Sequence, residues 1–142
     1  MISNILLSHT HPTKSPEKLQ AHKALVEKYL QKIIKEKEID LEKIIDSFKL
    51  KDRDFAKRLI FDAVILHDEG KRNPCFQYIK MKNEVFKDEC DKLDIKSSKH
   101  SFLGAKLFFK RYIEEVANEE DDDEFEKKLF LLTSLSFLLL HQ

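Results

Sequence analysis

The sequence predicts an all-α fold, a bundle of six or seven helices. Three observations carry that expectation. Glycine occurs only twice and proline three times in 142 residues, so little interrupts a helical backbone. Apolar residues recur at three- and four-residue intervals over long segments. Capping residues stand ahead of several of those segments, with Gly70 placed to stop one of them.

Residues 1–14 read as a short apolar start followed by the polar loop "SHTHPTKS". Ser15, Pro16 and Glu17 then offer a cap, a proline at the first helical position and an acid in the first turn. The helix they open is expected to run to about Glu38, with Leu19, Leu25, Val26, Tyr29 and Ile33 on its core face. A short helix follows at about 41–49. Asp52 opens another that ends near His67–Glu69, where Gly70 suits the left-handed position that follows a helix. Shorter helices are expected over 75–82 and 84–94. Ser97 and Ser98 can cap one that runs to about Ala117. The acidic turn 118–126 leads into a last helix over about 124–142, where its charge favours the helix start. The apolar run Leu129–Leu140 is too short to span a bilayer and reads as a helix buried on all sides.

Formal net charge is zero and the sequence pI is about 7.0, which excludes a whole-surface basic field for nucleic acid but leaves room for a local patch. The N-terminus has neither the basic nor the apolar region of a signal peptide. Cys75 and Cys90 lie fifteen residues apart without a CxxC pattern. They read as two reduced thiols of a cytoplasmic protein.

Six histidines are present. His9 and His11 fall in the N-terminal loop. His22, His67, His100 and His141 fall on four different helices; the first three have neighbours on the same face at three, four and seven positions and His141 has Phe137 and Leu138 at four and three, so each is expected on the core face of its helix. Burying four imidazoles without partners would cost on the order of 1–3 kcal/mol each. A metal is one common partner for neutral imidazole, and Asp68, next to His67, adds a carboxylate able to bridge two cations. Gly70 and Gly104 each sit beside a candidate ligand. Gly104, on the face of His100, removes a side chain and permits close approach.

Three segments together resemble the HD superfamily of metal-dependent phosphohydrolases, and more narrowly the HD nuclease of CRISPR type I interference, found alone or fused to a helicase. "LQAHKALV" matches the family's helix-borne histidine at His22. "HDEGKRNPCFQ" matches its His-Asp-x-Gly-Lys and Phe-Gln signature at His67, Asp68, Gly70, Lys71, Phe76 and Gln77. "HSFLGA" matches at His100, Ser101, Gly104 and Ala105. The resemblance covers essentially the whole chain. Glu69 departs from it, standing where the family usually has an aliphatic residue. The family continues with a His-His pair and a later aspartate, whereas "LLLHQ" offers His141 and then Gln142. The resemblance therefore implies one HD nuclease domain over 1–142, incomplete at its C-terminus.

The resemblance implies two divalent ions, one on His22, His67 and Asp68, the other on Asp68, His100 and His141. Nitrogen-rich ligation suits Mn, Fe, Co or Ni better than Mg. It implies Asp68 and Lys71 as catalytic residues and Lys71, Phe76, Gln77 and Ser101 as substrate contacts. The implied activity is metal-dependent hydrolysis of single-stranded DNA in the prokaryotic cytoplasm, alongside a CRISPR helicase and a guide-RNA surveillance complex, with no membrane. Lys96, Lys99, Lys106, Lys110 and Arg111 cluster around His100 in sequence and could track a phosphate backbone. The alternatives are an HD phosphohydrolase acting on nucleotides and a truncated, weak or inactive remnant.

Overall fold

A computed structural model describes residues 5–94 and 96–141. A small antiparallel ribbon comes first, with β1 at Leu7–His9 and β2 at Glu17–Lys18. Six α-helices follow among the described residues: α1 Leu19–Glu36, α2 Leu41–Ser47, α3 Arg53–Ile65, α4 Lys87–Asp91, α5 His100–Ala117 and α6 Asp122–Leu140. Between α3 and α4 the chain makes a 3-10 turn at Glu69–Arg72, a π turn at Phe76–Lys80 and a second 3-10 turn at Glu84–Phe86. The architecture is the all-α bundle expected.

Its core lies where α3 packs against the hairpin of α5 and α6. Phe55, Leu59, Phe108, Val116 and Leu132 are all buried there. Aspartates cap three helices: Asp40 accepts from Lys43 N–H, Asp52 from Phe55 N–H and Asp121 from Glu124 N–H, each at 3.0 Å. Each such cap is worth about 1 kcal/mol. Glu124, 2% exposed, accepts from the Lys51 and Asp52 N–H groups and so satisfies donors at the start of α3. Lys128, 4% exposed, bridges Asp52 (3.1 Å) and Glu119 (2.7 Å).

Several expectations need correction. The first helix begins at Leu19 rather than at Ser15–Pro16. Leu6 and Leu19 bury together against Phe86, and Leu19 N–H donates to the Leu6 carbonyl (2.9 Å). That contact draws residues 17–18 into the ribbon. Along α1 only Leu19 is buried, and Leu25, Tyr29 and Ile33 are exposed instead of facing the core. Gly70 does not take a left-handed conformation; the positive-φ residues are Glu38, Lys49 and Lys82. On α6, Leu131, Leu132 and Leu139 are buried, but Phe130, Phe137 and Leu138 are more than 60% exposed, so the run is covered on one side rather than on all.

The cysteines are not free thiols. Cys75 and Cys90 are bonded to each other, both buried, tying the start of the π turn to α4. Disulfides belong to oxidising compartments or to the interiors of hyperthermophiles, so the cysteines give no argument for a reducing cytoplasm. Among the described residues no helix is long and apolar enough to cross a membrane.

Candidate metal centre

Asp68 lies just past the end of α3 and is 4% exposed. Three histidines surround it, one on α1, one in the turn that follows α3 and one on α5. His22 approaches from the first turn of α1, with Nε2 2.9 Å from Asp68 Oδ2. His67 places Nε2 3.3 Å from the same oxygen. His100, the first residue of α5, places Nε2 3.9 Å from Oδ1. The two carboxylate oxygens thus face different histidines.

The backbone allows this convergence because the two glycines meet. A Cβ on Gly70 would fall 1.7 Å from the His100 carbonyl oxygen and 2.7 Å from the Gly104 nitrogen. A Cβ on Gly104 would fall 3.2 Å from the His67 carbonyl oxygen. The turn carrying Asp68 therefore lies directly on the first turn of α5. Close approach, expected for Gly104, is also what Gly70 provides.

The rings are held from behind. His67 Nδ1–H donates to the Val64 carbonyl (2.5 Å), which leaves the lone pair on Nε2, the atom facing Asp68. Phe76 packs edge-on against His100, with centroids 4.7 Å apart. His22 Nδ1 lies 3.0 Å from Glu17 Oε2 on β2.

Lys71 is also buried, and its Nζ lies 2.8 Å from Asp68 Oδ2 and 3.5 Å from Ser8 Oγ. Burial would push the Asp68 carboxyl up, but the Lys71 hydrogen bond and the nearby His67 outweigh it, holding the group below its ordinary 3.8. For His100, burial and then the charge of Lys71 lower the pKa, favouring the neutral ring. Burial, Lys71 and His22 do the same for His9.

The structure sorts the predicted residues. His22, His67, Asp68, His100 and Lys71 come together. His141 is exposed beyond α6, with its ring against Phe137 (4.6 Å between centroids), and makes no contact with Asp68. Ser101 is partly buried in the first turn of α5. Phe76 and Gln77, expected as substrate contacts, are both buried. Phe76 is 5% exposed behind His100, and Gln77 is fully buried. Gln77 accepts from Leu7 N–H (2.9 Å) and donates to the Leu7 and Lys71 carbonyls (2.7 Å each), serving β1 as a neighbouring strand would.

The ribbon adds three residues that sequence reasoning missed: Ser8, His9 and Glu17. Ligand atoms of His9, His22 and Asp68 all lie within 4.8 Å of one another. The pairing of His9 with Glu17 across the ribbon brings them in. A two-residue strand leaves no periodic pattern to read.

The donor set, imidazole nitrogens around one buried carboxylate, fits a divalent transition ion. His9, His22 and Asp68 would hold one; His67, expected in that set, faces the same carboxylate but falls outside the group, and Asp68 with His100 would contribute to a second. A groove of about 350 Å³, lined by Ala63, Val64, His67, Leu135, Leu138 and Leu139, opens beside His67. On another side of the turn, a groove of about 420 Å³ is lined by Lys23, Glu69, Arg72 and Arg111, in which Lys23 (2.7 Å) and Arg72 pair with Glu69 and Arg111 lies 3.2 Å from Asp62. No family model, no curated protein and no solved structure matches the chain.

Proposed function

We propose that the chain is a metal-dependent phosphohydrolase of the HD type, acting as a nuclease on single-stranded DNA in CRISPR type I interference. The observation that carries the reading is the convergence of His22, His67 and His100 on the buried carboxylate of Asp68. When bound, divalent transition ions would supply Lewis acidity and activate water for attack on phosphorus. The chain's own groups do the rest. Asp68 offers one oxygen to each side, and its depressed pKa keeps it ionised at neutral pH. His67 and His100 are held in place by Val64 and Phe76. Exposed Lys99, Lys106 and Lys110 on and beside α5 offer cations for a phosphate backbone, whereas Lys23 and Arg72 are paired with Glu69 and Arg111 with Asp62. The helicase and the guide-RNA complex enter as partners on the resemblance alone.

The test is Mn²⁺- or Ni²⁺-stimulated cleavage of a single-stranded oligonucleotide by the intact chain, with a panel of nucleotides run in parallel. Asp68→Ala and the near-isosteric Asp68→Asn are expected to lose at least about 100-fold. Cleavage that survives both substitutions would remove the mechanism. Turnover of nucleotides but not oligonucleotides would move the substrate class.

One observation favours a second reading, a catalytically silent protein that keeps the fold. The Lys71 ammonium already neutralises Asp68 at 2.8 Å. That reading predicts sub-stoichiometric metal and no turnover with Mn²⁺ in excess.

A further inference from the structure

We infer that Glu17 is the positioning residue of the centre: it orients His22 so that Nε2 is the metal-binding nitrogen. The inference rests on the metal-dependent reading above. His22 lies between two carboxylates, with Nδ1 3.0 Å from Glu17 Oε2 and Nε2 2.9 Å from Asp68 Oδ2. A neutral imidazole has one N–H and one lone pair. An N–H on Nδ1 donating to Glu17 leaves the lone pair on Nε2, on the side of Asp68. A carboxylate on the far nitrogen of a ligating histidine fixes its tautomer and raises its basicity.

The fold places Glu17 there by backbone contacts that do not involve its side chain. Leu7 pairs with Lys18 and His9 with Glu17, and Leu19 N–H donates to the Leu6 carbonyl. Gln77 holds Leu7 from the other side. The Glu17 side chain is 32% exposed and makes none of the ribbon's backbone bonds, so its replacement leaves them intact; the group it frees is the Nδ1–H of His22, whose side chain is 17% exposed. His67 uses a backbone carbonyl for the same purpose. His22, in the first turn of α1, has this role filled by a carboxylate from the ribbon. Glu17 also lies 4.0 Å from His9 Nε2, beyond hydrogen-bonding distance, so His22 is its principal partner.

The experiment is a calorimetric titration of the metal-free intact chain with Co²⁺ alone, with the visible spectrum of the bound ion recorded alongside. Glu17→Ala is expected to weaken Co²⁺ binding about 10- to 100-fold and to alter the spectrum, with the melting temperature unchanged. Glu17→Gln keeps an oxygen that accepts from Nδ1–H and is expected to recover wild-type affinity to within about threefold. Wild-type affinity in Glu17→Ala would overturn the inference and leave the metal-dependent reading standing. Equal weakening in both variants would also overturn it, because charge rather than orientation would then be the cause. A wild-type chain that takes up no Co²⁺ would remove the reading on which it rests.

Discussion

At the scale of single residues, the two glycines carry unequal weight. Gly70 has no room for a side chain, because an added Cβ would overlap the His100 carbonyl at 1.7 Å, and that oxygen belongs to the backbone of α5. Gly70→Ala must push the turn off the helix, and overpacking of this severity costs about 3 kcal/mol or more. The same displacement carries Asp68 away from His100. Gly104 is different. Its Cβ would meet the His67 carbonyl at 3.2 Å, a contact that a few tenths of an ångström relieve. Alanine within a helix gains about 1 kcal/mol over glycine, so Gly104→Ala is expected to be close to neutral. Urea unfolding of the two variants measures the contrast. A Gly70→Ala protein as stable as wild type would show that the turn does not sit on α5 as described.

At the scale of elements, the segment between α3 and α5 is held by contacts more than by regular structure. Its principal covalent tie is the Cys75–Cys90 bond. A closed loop of this length is worth about 3 kcal/mol through restriction of the unfolded chain. Reduction with dithiothreitol, or Cys75→Ser, is therefore expected to lower stability by about that amount in urea unfolding, and a midpoint indifferent to reductant would contradict the pairing. Here the limits of sequence reading are plain. The long helices were legible because apolar residues recur with a 3.6-residue period and Asp52 announces α3 by its capping chemistry, although the period on α1 marks an exposed face at Leu25 and Tyr29 and His67 lies two residues past the end of α3. The ribbon was not legible. Its short strands are set by Gln77, 70 residues from Leu7, and by burial of Leu6 on Leu19. The strong local signal of Ser15 and Pro16 loses to that tertiary contact. Cysteine spacing likewise cannot reveal pairing that depends on how a π turn and a five-residue helix fold back on one another. The candidate centre was therefore half visible: His22, His67, Asp68 and His100 could be read, and the ribbon residues beside them could not.

At the scale of the whole molecule, two charged clusters occupy opposite ends of α3, whose thirteen residues span about 20 Å. One is the histidine cluster around Asp68. The other joins the starts of α3 and α6 and the end of α5 through Asp52, Glu119 and Lys128, beside the pair of Lys51 with Asp121. Burial pushes Asp52 up, but the Phe55 N–H and Lys128 outweigh it and hold it below 3.8. The Lys128 hydrogen bond holds Glu119 below 4.5, and that of Lys51 holds Asp121 below 3.8. Groups with depressed pKa values contribute stability that is fully present above their unfolded values and is lost as pH falls through the folded ones. Lys128 runs the other way. Burial pushes it down, Glu119 and Asp52 more than offset that, and its raised pKa gives stability present below 10.5 and lost only above it. The melting temperature is therefore expected to be flat from about pH 7 to pH 9, to fall slightly below about pH 6.5 as the unfolded chain protonates His9 and His100 more readily than the folded one, and to fall further below about pH 4. Asp68 titrates in the same direction, so the pH profile of the wild type alone does not separate the two ends. Asp52→Asn does. It keeps the cap on Phe55 while removing the charge facing Lys128, so it should flatten the acid limb and lower the plateau without changing Co²⁺ affinity. An acid limb unaltered by Asp52→Asn would assign the pH dependence to the histidine end of the bundle instead.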